Sequence, residues 1–410
     1  MEKFDTLIIG GGAAGLIAAV RAASLGQKTA VAEKNHSVGE KLLLSGRGRC
    51  NFTNAESDME TFISQYGDNG KFLYAAFSRF GPSETVKFFR KIGVESVEER
   101  GKRIFPAEGG SQRVIDSLIM QCKKYNVKIM RSTPVKALKI KNSRVDYVIT
   151  DNDEFSAEKY IIATGGMSYP KTGSTGDGYQ FAKQAGHTIT ELYPALVPIK
   201  TREMWVKLAS GFNLRNVRLN VILDGKKIDE RFGEMEFTNF GVSGPIVMDL
   251  SSHIPDWKGE LQFSVDLKPT LTEEILVARI NREIEKFKGH KRFFGLVRSL
   301  VPSKMVKLIL ELSDVPHDKP VEYISEEEIA ELVKLLKDIR MNINGLWSFN
   351  NAVVTRGGVN LKEIEPATMK SKLCDNLYLA GEVLDLNGPS GGFNLQFCWS
   401  TGYIAGSVNE

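Results

Sequence analysis

Several things are scarce in this 410-residue sequence, and each scarcity narrows the reading. There are four cysteines (Cys50, Cys122, Cys374 and Cys398), far apart and without a C-x-x-C pair. That excludes a zinc ribbon and a redox disulfide of the adjacent type, and it fits a reducing compartment. His36, His253, His290 and His317 have no acids clustered at ligand spacing, so no metal site is expected. His187, behind Gly186 at a helix end, reads as structural. The net charge is only +4, too weak for the clustered basic face of a nucleic-acid binder. The expected partner is therefore a small molecule, with no nucleic acid. No stretch reaches the roughly 18 apolar residues of a membrane span. The apolar run from Leu7 to Ala23 follows an acidic Asp5 and is broken by Gly10, Gly11 and Gly12. A signal sequence would be unbroken behind a basic flank. A soluble, cytoplasmic protein without a membrane partner is expected. Oligomeric state is not readable from the sequence.

What is present is an ordinary globular composition, 42% hydrophobic and 25% charged, on a chain long enough for two or three domains. Its first 33 residues hold a complete pattern. Phe4–Ile9 is a short β-rich apolar run, read as a buried parallel strand. Gly10-Gly11-Gly12-Ala13-Ala14-Gly15 follows at once and matches G-x-G-x-x-G. A helical stretch from Leu16 to Leu25 ends at Gly26, and Lys28–Glu33 reads as a second strand closing on an acid. In such a unit Gly10 permits the tight turn, Gly12 lets a pyrophosphate approach the backbone, and Gly15 lets helix and sheet pack closely. The helix N-terminus offers free N–H groups to the phosphates. Glu33 can accept from a ribose and disfavours a 2′-phosphate. The dinucleotide is thus FAD or NAD.

Two later segments point to FAD. Tyr160–Gly166 is a strand running into a glycine turn. Leu377–Glu382, followed by Gly388–Gln396, is a returning strand with a second glycine turn. A contiguous NAD domain needs neither, whereas a long FAD molecule must be covered at its flavin end. Ala163-Thr164-Gly165 and Gly381-Glu382 resemble the "A-T-G" and "G-D" elements of two-dinucleotide-binding-domain flavoproteins, with Glu382 standing where an Asp is expected. Either carboxylate can accept ribitol hydroxyls. No second G-x-G-x-x-G is seen, so any nicotinamide would dock transiently.

The expected fold class is α/β: a Rossmann-type FAD-binding domain with an inserted antiparallel β domain and a small helical domain. The FAD-binding domain is expected over residues 1–190 plus 350–410. The antiparallel, barrel-like domain is expected over 191–270 plus 340–349, where Asp224-Gly225 between strand-like runs signals a hairpin. The helical insert is expected over 271–339, where Ile329, Leu332, Val333 and Leu336 keep helical spacing.

Longer blocks narrow the family. Ser45–Asn54 (SGRGRCNFTN), Gly165–Gly178, Glu236–Pro245 and Gly392–Gln396 resemble, in order, those of bacterial FAD-dependent oxidoreductases typified by aminoacetone oxidase and the bile-acid 3-dehydro-Δ4,6-steroid reductase. The resemblance implies FAD as cofactor and oxidoreductase activity. It implies FAD contacts at Gly10, Gly12, Ala13, Ala14, Gly15, Glu33, Lys34, Ser45, Gly46, Arg47, Asn51, Val135, Ala163, Thr164, Gly165, Gly381, Glu382, Asp385, Gly392, Phe393, Asn394 and Leu395. Arg49, in the polar Arg47–Asn51 loop, and Tyr169, before Pro170, are the candidate catalytic residues: a guanidinium to polarise a substrate and a phenol to donate a proton. Cys50 has no second cysteine nearby in sequence and reads as a small buried residue. The Lys286–Arg292 stretch reads as a solvated face. The expected function is hydride transfer at flavin N5 to an activated C=C or C=O bond, with NADH or NADPH as donor. The alternatives are an amine oxidase passing electrons to O2, an RNA-modifying flavoprotein, and a non-catalytic FAD scaffold.

Overall fold

The computed structural model describes residues 2–407. The first strand, β1 (Glu2–Ile9), is followed by helix α1 (Ala13–Ser24) and β2 (Thr29–Ala32). Phe4, Leu7, Ile8 and Ile9 are all buried, as a parallel strand covered on both faces requires. β3 (Lys128–Met130), β4 (Ala137–Lys141), β5 (Arg144–Ile149) and β6 (Glu154–Ile162) complete the first half of the sheet. β1 runs parallel to β2, with Ile8 beside Val31, and parallel to β6, with Ile8 beside Ile161. Between β2 and β3 a small antiparallel sheet joins Thr53–Asn54, Arg103–Pro106 and Ser96–Glu99.

The described chain divides into two units: the residues up to Ala195 together with those from Phe349 on, and Leu196–Ser348. The sequence reading expects three. The difference is physical, because the barrel and its helices share one continuous core. That barrel is closed by β7 (Ile199–Thr201), β8 (Asn213–Leu223), β9 (Lys226–Thr238), β10 (Gly241–Ser243), β11 (Leu261–Asp266) and β12 (Ile339–Leu346) in the order β7-β10-β9-β8-β11-β12. Asp224-Gly225 forms the β8–β9 hairpin turn, with Leu223 opposite Lys226. Before β12 come α2 (Glu273–Phe287), α3 (Phe293–Leu300), α4 (Ser303–Leu312) and α5 (Glu326–Lys337). α2 buries Leu276, Ile280, Ile284 and Phe287, a single helical stripe. α5 starts on a capping box in which the Ser325 hydroxyl accepts from the Glu328 N–H and the Glu328 carboxylate accepts from the Ser325 N–H.

Back in the first unit, β13 (Leu377–Leu379) runs parallel to β6 on its C-terminal half, and α6 (Phe393–Gly406) ends the described chain. α6 lies against α1 through glycine: a Cβ on Gly402 would stand 2.3 Å from the Ala14 carbonyl oxygen. Among the described residues no helix is long and apolar enough to cross a membrane.

Candidate functional site

The register brings the scattered motifs to one sheet edge. The Gly10 N–H donates to the Ala32 carbonyl, the Ala163 N–H to Ile9, and the Ala380 N–H to Ile162. The carboxyl ends of β1, β2, β6 and β13 therefore lie side by side, the place where open parallel sheets bind ligands. It carries Gly10–Gly15, Glu33, Ala163–Gly165 and Gly381–Glu382.

The three motif glycines are not equivalent. Gly10 has φ +103°, and a Cβ there would lie 2.6 Å from the Ala163 carbonyl oxygen. A Cβ on Gly15 would stand 1.9 Å from the Gly10 carbonyl oxygen. On Gly12 it would meet nothing within 4 Å. Two glycines are thus demanded by packing, and the third opens onto free space at the N-cap of α1. No side chain caps that helix, so the first-turn N–H groups of Ala13, Ala14 and Gly15 are available to an anion. Gly381 also sits close, since its Cβ would come within 2.8 Å of the Ala14 side chain.

Glu33 is buried. One carboxylate oxygen accepts from the Gly11 N–H at 2.7 Å, the other from the Asn35 N–H at 2.8 Å. Burial raises its pKa, and the two N–H groups oppose that rise. Each oxygen keeps a second lone pair, the capacity a ribose diol would use. Lys34 is committed to Asp177 at 2.6 Å. Val135 is buried, two residues past Thr133, whose N–H donates to the Glu33 carbonyl.

The Ser45–Asn51 turn is built differently. Gly46, Arg47, Gly48 and Cys50 all have left-handed backbone, with φ of 56°, 58°, 83° and 60°. For Arg47 and Cys50 that conformation costs energy that only a fixed surround sustains. The surround is visible. The Ser45 carbonyl accepts from the Cys50 N–H, the Phe52 N–H donates to the Ile104 carbonyl, and the Trp399 indole N–H donates to the Phe52 carbonyl. Burial pushes the Cys50 thiol up to about 12, so it stays protonated and takes no thiolate role. The Asn51 Oδ1 is buried with no partner among the described residues. An orphaned acceptor at a strained turn fits a ligand group.

The two arginines of this loop separate. Arg49 pairs with Glu99 and lies 4.3 Å over the Phe105 ring. Arg47 has no ion pair among the described residues and is exposed. Tyr169 is half-buried on left-handed backbone (φ 51°), and burial raises its phenol pKa. Its N–H donates to the Phe349 carbonyl at 3.1 Å.

Glu382 stands at the centre of a network that sequence reasoning missed. One oxygen accepts from the Ser168 hydroxyl at 2.8 Å and the Thr355 N–H at 2.9 Å, and the other from the Lys41 ammonium at 2.6 Å. Lys41 also donates to the Ser168 hydroxyl at 2.5 Å, and the Thr355 hydroxyl accepts from the Met167 N–H. Ser168 lies in the Gly165–Gly178 block, which could have singled it out. Lys41 and Thr355 are brought in from distant sequence positions and carry no local signal. Glu382 was expected to take ribitol hydroxyls; here three protein donors already engage it. Asn394 is likewise bound up in its own turn, accepting from the Gly388 N–H and donating to the Gly388 and Pro389 carbonyls. Phe393 packs 4.9 Å from Phe62, and Leu395 is partly buried against the same core. Gly392 has φ +101° and hugs the Thr53 carbonyl. Asp385 is half-buried, and burial raises its carboxyl pKa.

The open face at Gly12, the uncapped α1 terminus, Glu33 and the orphaned Asn51 fit FAD, and the protein is an FAD-dependent oxidoreductase. The model of the "HI0933-like protein Rossmann domain" matches residues 4–408. The chain belongs to the HI0933-like family. It is 33% identical over 405 residues to the 3-dehydro-bile acid delta(4,6)-reductase of Clostridium scindens, covering 97% of each chain. It is also 33% identical to the ribosomal RNA dihydrouridine synthase of Haemophilus influenzae, covering 97% of this chain and 96% of that one. Among solved structures, the 3-ketosteroid-delta4-(5alpha)-dehydrogenase of Rhodococcus jostii shares the fold at 14% identity and TM-score 0.54, covering 99% of this chain and 96% of the other.

Proposed function

We propose that the protein reduces a C=C bond conjugated to a carbonyl, with NADH or NADPH as donor. One observation carries this reading. Two relatives of equal identity along nearly the whole chain, a bile-acid delta(4,6)-reductase and a ribosomal RNA dihydrouridine synthase, act on unlike molecules but on one kind of bond. A 3-keto steroid with unsaturation at C4 presents an enone. Dihydrouridine is uridine whose ring C5=C6, conjugated to the C4 carbonyl, has gained two hydrogens. A nucleic-acid substrate therefore stands beside the small molecule expected from net charge alone, since a weak overall charge says nothing about a local surface.

The balance is simple: nicotinamide gives up a hydride, the β-carbon of the substrate receives one, and a proton completes the α-carbon. Bound FAD supplies the hydride relay at N5. The protein's part is positioning and proton supply. Tyr169, kept protonated by burial, donates the proton. Arg47, free of ion pairs among the described residues, polarises the substrate carbonyl, while Arg49, held on Glu99 and Phe105, braces the loop. Glu33 and the α1 terminus hold the adenosine and pyrophosphate ends. The Lys41–Glu382–Ser168 network fixes the Glu382 carboxylate in place.

Anaerobic mixing with NADH and then NADPH should bleach the flavin absorption, and a 3-keto-4-ene steroid or bacterial ribosomal RNA should restore it. Persistent colour with both donors, together with peroxide release from amines in air, would make the protein an oxidase and end this reading.

A further inference from the structure

The second unit carries a cavity of about 590 Å³ that the flavin chemistry does not use. Its lining is largely apolar: Phe212 just before β8, Leu214 and Val217 at the start of β8, Leu267 after β11, and Val301 and Pro302 between α3 and α4. Arg215 and Lys268 line it as well. Neither finds an acid among the described residues. Asp266, two residues before Lys268, is spent, because it accepts from the Lys268 N–H on one oxygen and pairs with Lys337 at 2.7 Å on the other. Asn213, which also lines the cavity, donates its side-chain amide to Glu234. Burial and the like charge of Arg279 both lower the Lys268 pKa, as expected of a cation gathered without a counter-ion.

We propose that this cavity is an RNA-backbone contact: Arg215 and Lys268 take a phosphodiester, and the Phe212–Leu214 wall takes the adjoining sugar or base. The proposal rests on the reduction above in its nucleic-acid form, where the conjugated bond belongs to a uracil ring. An apolar wall with unpaired guanidinium and ammonium groups is the arrangement that binds single-stranded nucleic acid, the cations releasing counterions and the aromatic offering a stacking surface.

The test uses the FAD-loaded full chain and deproteinised bacterial ribosomal RNA in filter binding across a salt series. Wild type should bind with affinity falling as salt rises. The Arg215→Ala/Lys268→Met double variant should bind about tenfold more weakly, with a log–log salt slope shallower by about one to two. Its flavin absorption, melting temperature and NAD(P)H-driven reduction of a steroid enone should stay as in wild type. Unchanged RNA affinity and slope in the variant would overturn the proposal. So would a wild-type protein that reduces the enone yet ignores RNA, and that result would leave the reduction intact. Cholate binding lost in the variant while RNA binding persists would assign the cavity to a small carboxylate and overturn it too. Failure of NAD(P)H to bleach the flavin would remove the reduction reading on its own, whatever the binding curves show.

Discussion

The two units of this chain reach their folds by opposite routes. In the first, the part that binds nucleotide is local: β1, the Gly10–Gly15 turn, α1 and β2 follow one another within 33 residues, and Gly10 and Gly15 each have backbone they must clear. In the second, closure is remote, because Ile199 of β7 pairs with Leu346 of β12 and no short segment contains the barrel. The first is a binding device that tolerates little change at a few backbone points. The second is a packed core in which side-chain volume matters more than any one backbone angle.

That contrast can be broken most sharply inside the glycine motif. Gly15→Val puts a Cβ where the Gly10 carbonyl oxygen lies at 1.9 Å, so the variant should fail to accumulate as folded protein. Gly12→Val meets nothing within 4 Å on the protein side, and its N-cap backbone suits any residue. It should fold and melt like wild-type apoprotein while retaining no FAD. If both variants behave alike, the division between a packing glycine and an approach glycine is wrong. In the second unit the corresponding probe is Phe263, fully buried on β11. Phe263→Ala should cost about 3–5 kcal/mol, read in denaturant melts, with flavin content unchanged at low denaturant. A stoichiometric loss of FAD in that variant would show that the two units are not energetically separable.

The same contrast explains what the sequence made legible. The βαβ unit, its acid and the β8–β9 hairpin at Asp224-Gly225 could be read because their determinants are neighbours. The Lys41–Ser168–Glu382 network could not, since Lys41 and Glu382 stand far apart in sequence and meet only in the folded chain. The sequence suggested Glu382 as a ribitol acceptor and gave no sign of the protein donors around it. In the fold its carboxylate meets three donors of the protein's own. Arg49 was singled out ahead of Arg47 because guanidinium groups look alike in sequence, and only the fold shows which one Glu99 claims. Three domains were expected because composition changes at the helices, whereas the core runs on through them.

Within the first unit, two buried titratable groups sharpen the comparison further. Lys159 on β6 is 7% exposed, its ammonium has no hydrogen-bond partner among the described residues, and it lies 4.6 Å over the Tyr378 ring. Burial lowers its pKa to about 7. A depressed lysine favours the native state above its unfolded pKa near 10.4, and that stability is lost as pH falls towards 7. Lys159→Met should therefore raise stability at pH 7 by about 1–3 kcal/mol, the lower end reflecting the ring's partial compensation. The gain should shrink as pH rises towards 10. A destabilised Met variant would mean the ammonium has a partner that the fold does not reveal.

The smallest expected effect is at His187, whose side chain is fully buried. Its Nδ1 lies 3.0 Å from the Glu363 carboxylate and its Nε2 lies 2.8 Å from the Ser371 hydroxyl. That hydroxyl already accepts from the Leu373 and Cys374 N–H groups, so its own proton points to Nε2. The neutral ring then carries its hydrogen on Nδ1, aimed at Glu363. Burial lowers the His187 pKa, against the raising pull of Glu363. A lowered histidine contributes stability that is complete above the unfolded pKa near 6.5 and is lost as pH falls through the folded value. Wild type should lose melting temperature as pH falls below about 6.5 more steeply than His187→Gln. The variant should be the less stable of the two at pH 8, because the Glu363 and Ser371 contacts are weakened there. Parallel curves for the two proteins would mean that Glu363 holds the ring charged in the native state, and the tautomer assigned from the Ser371 contacts would fall with it.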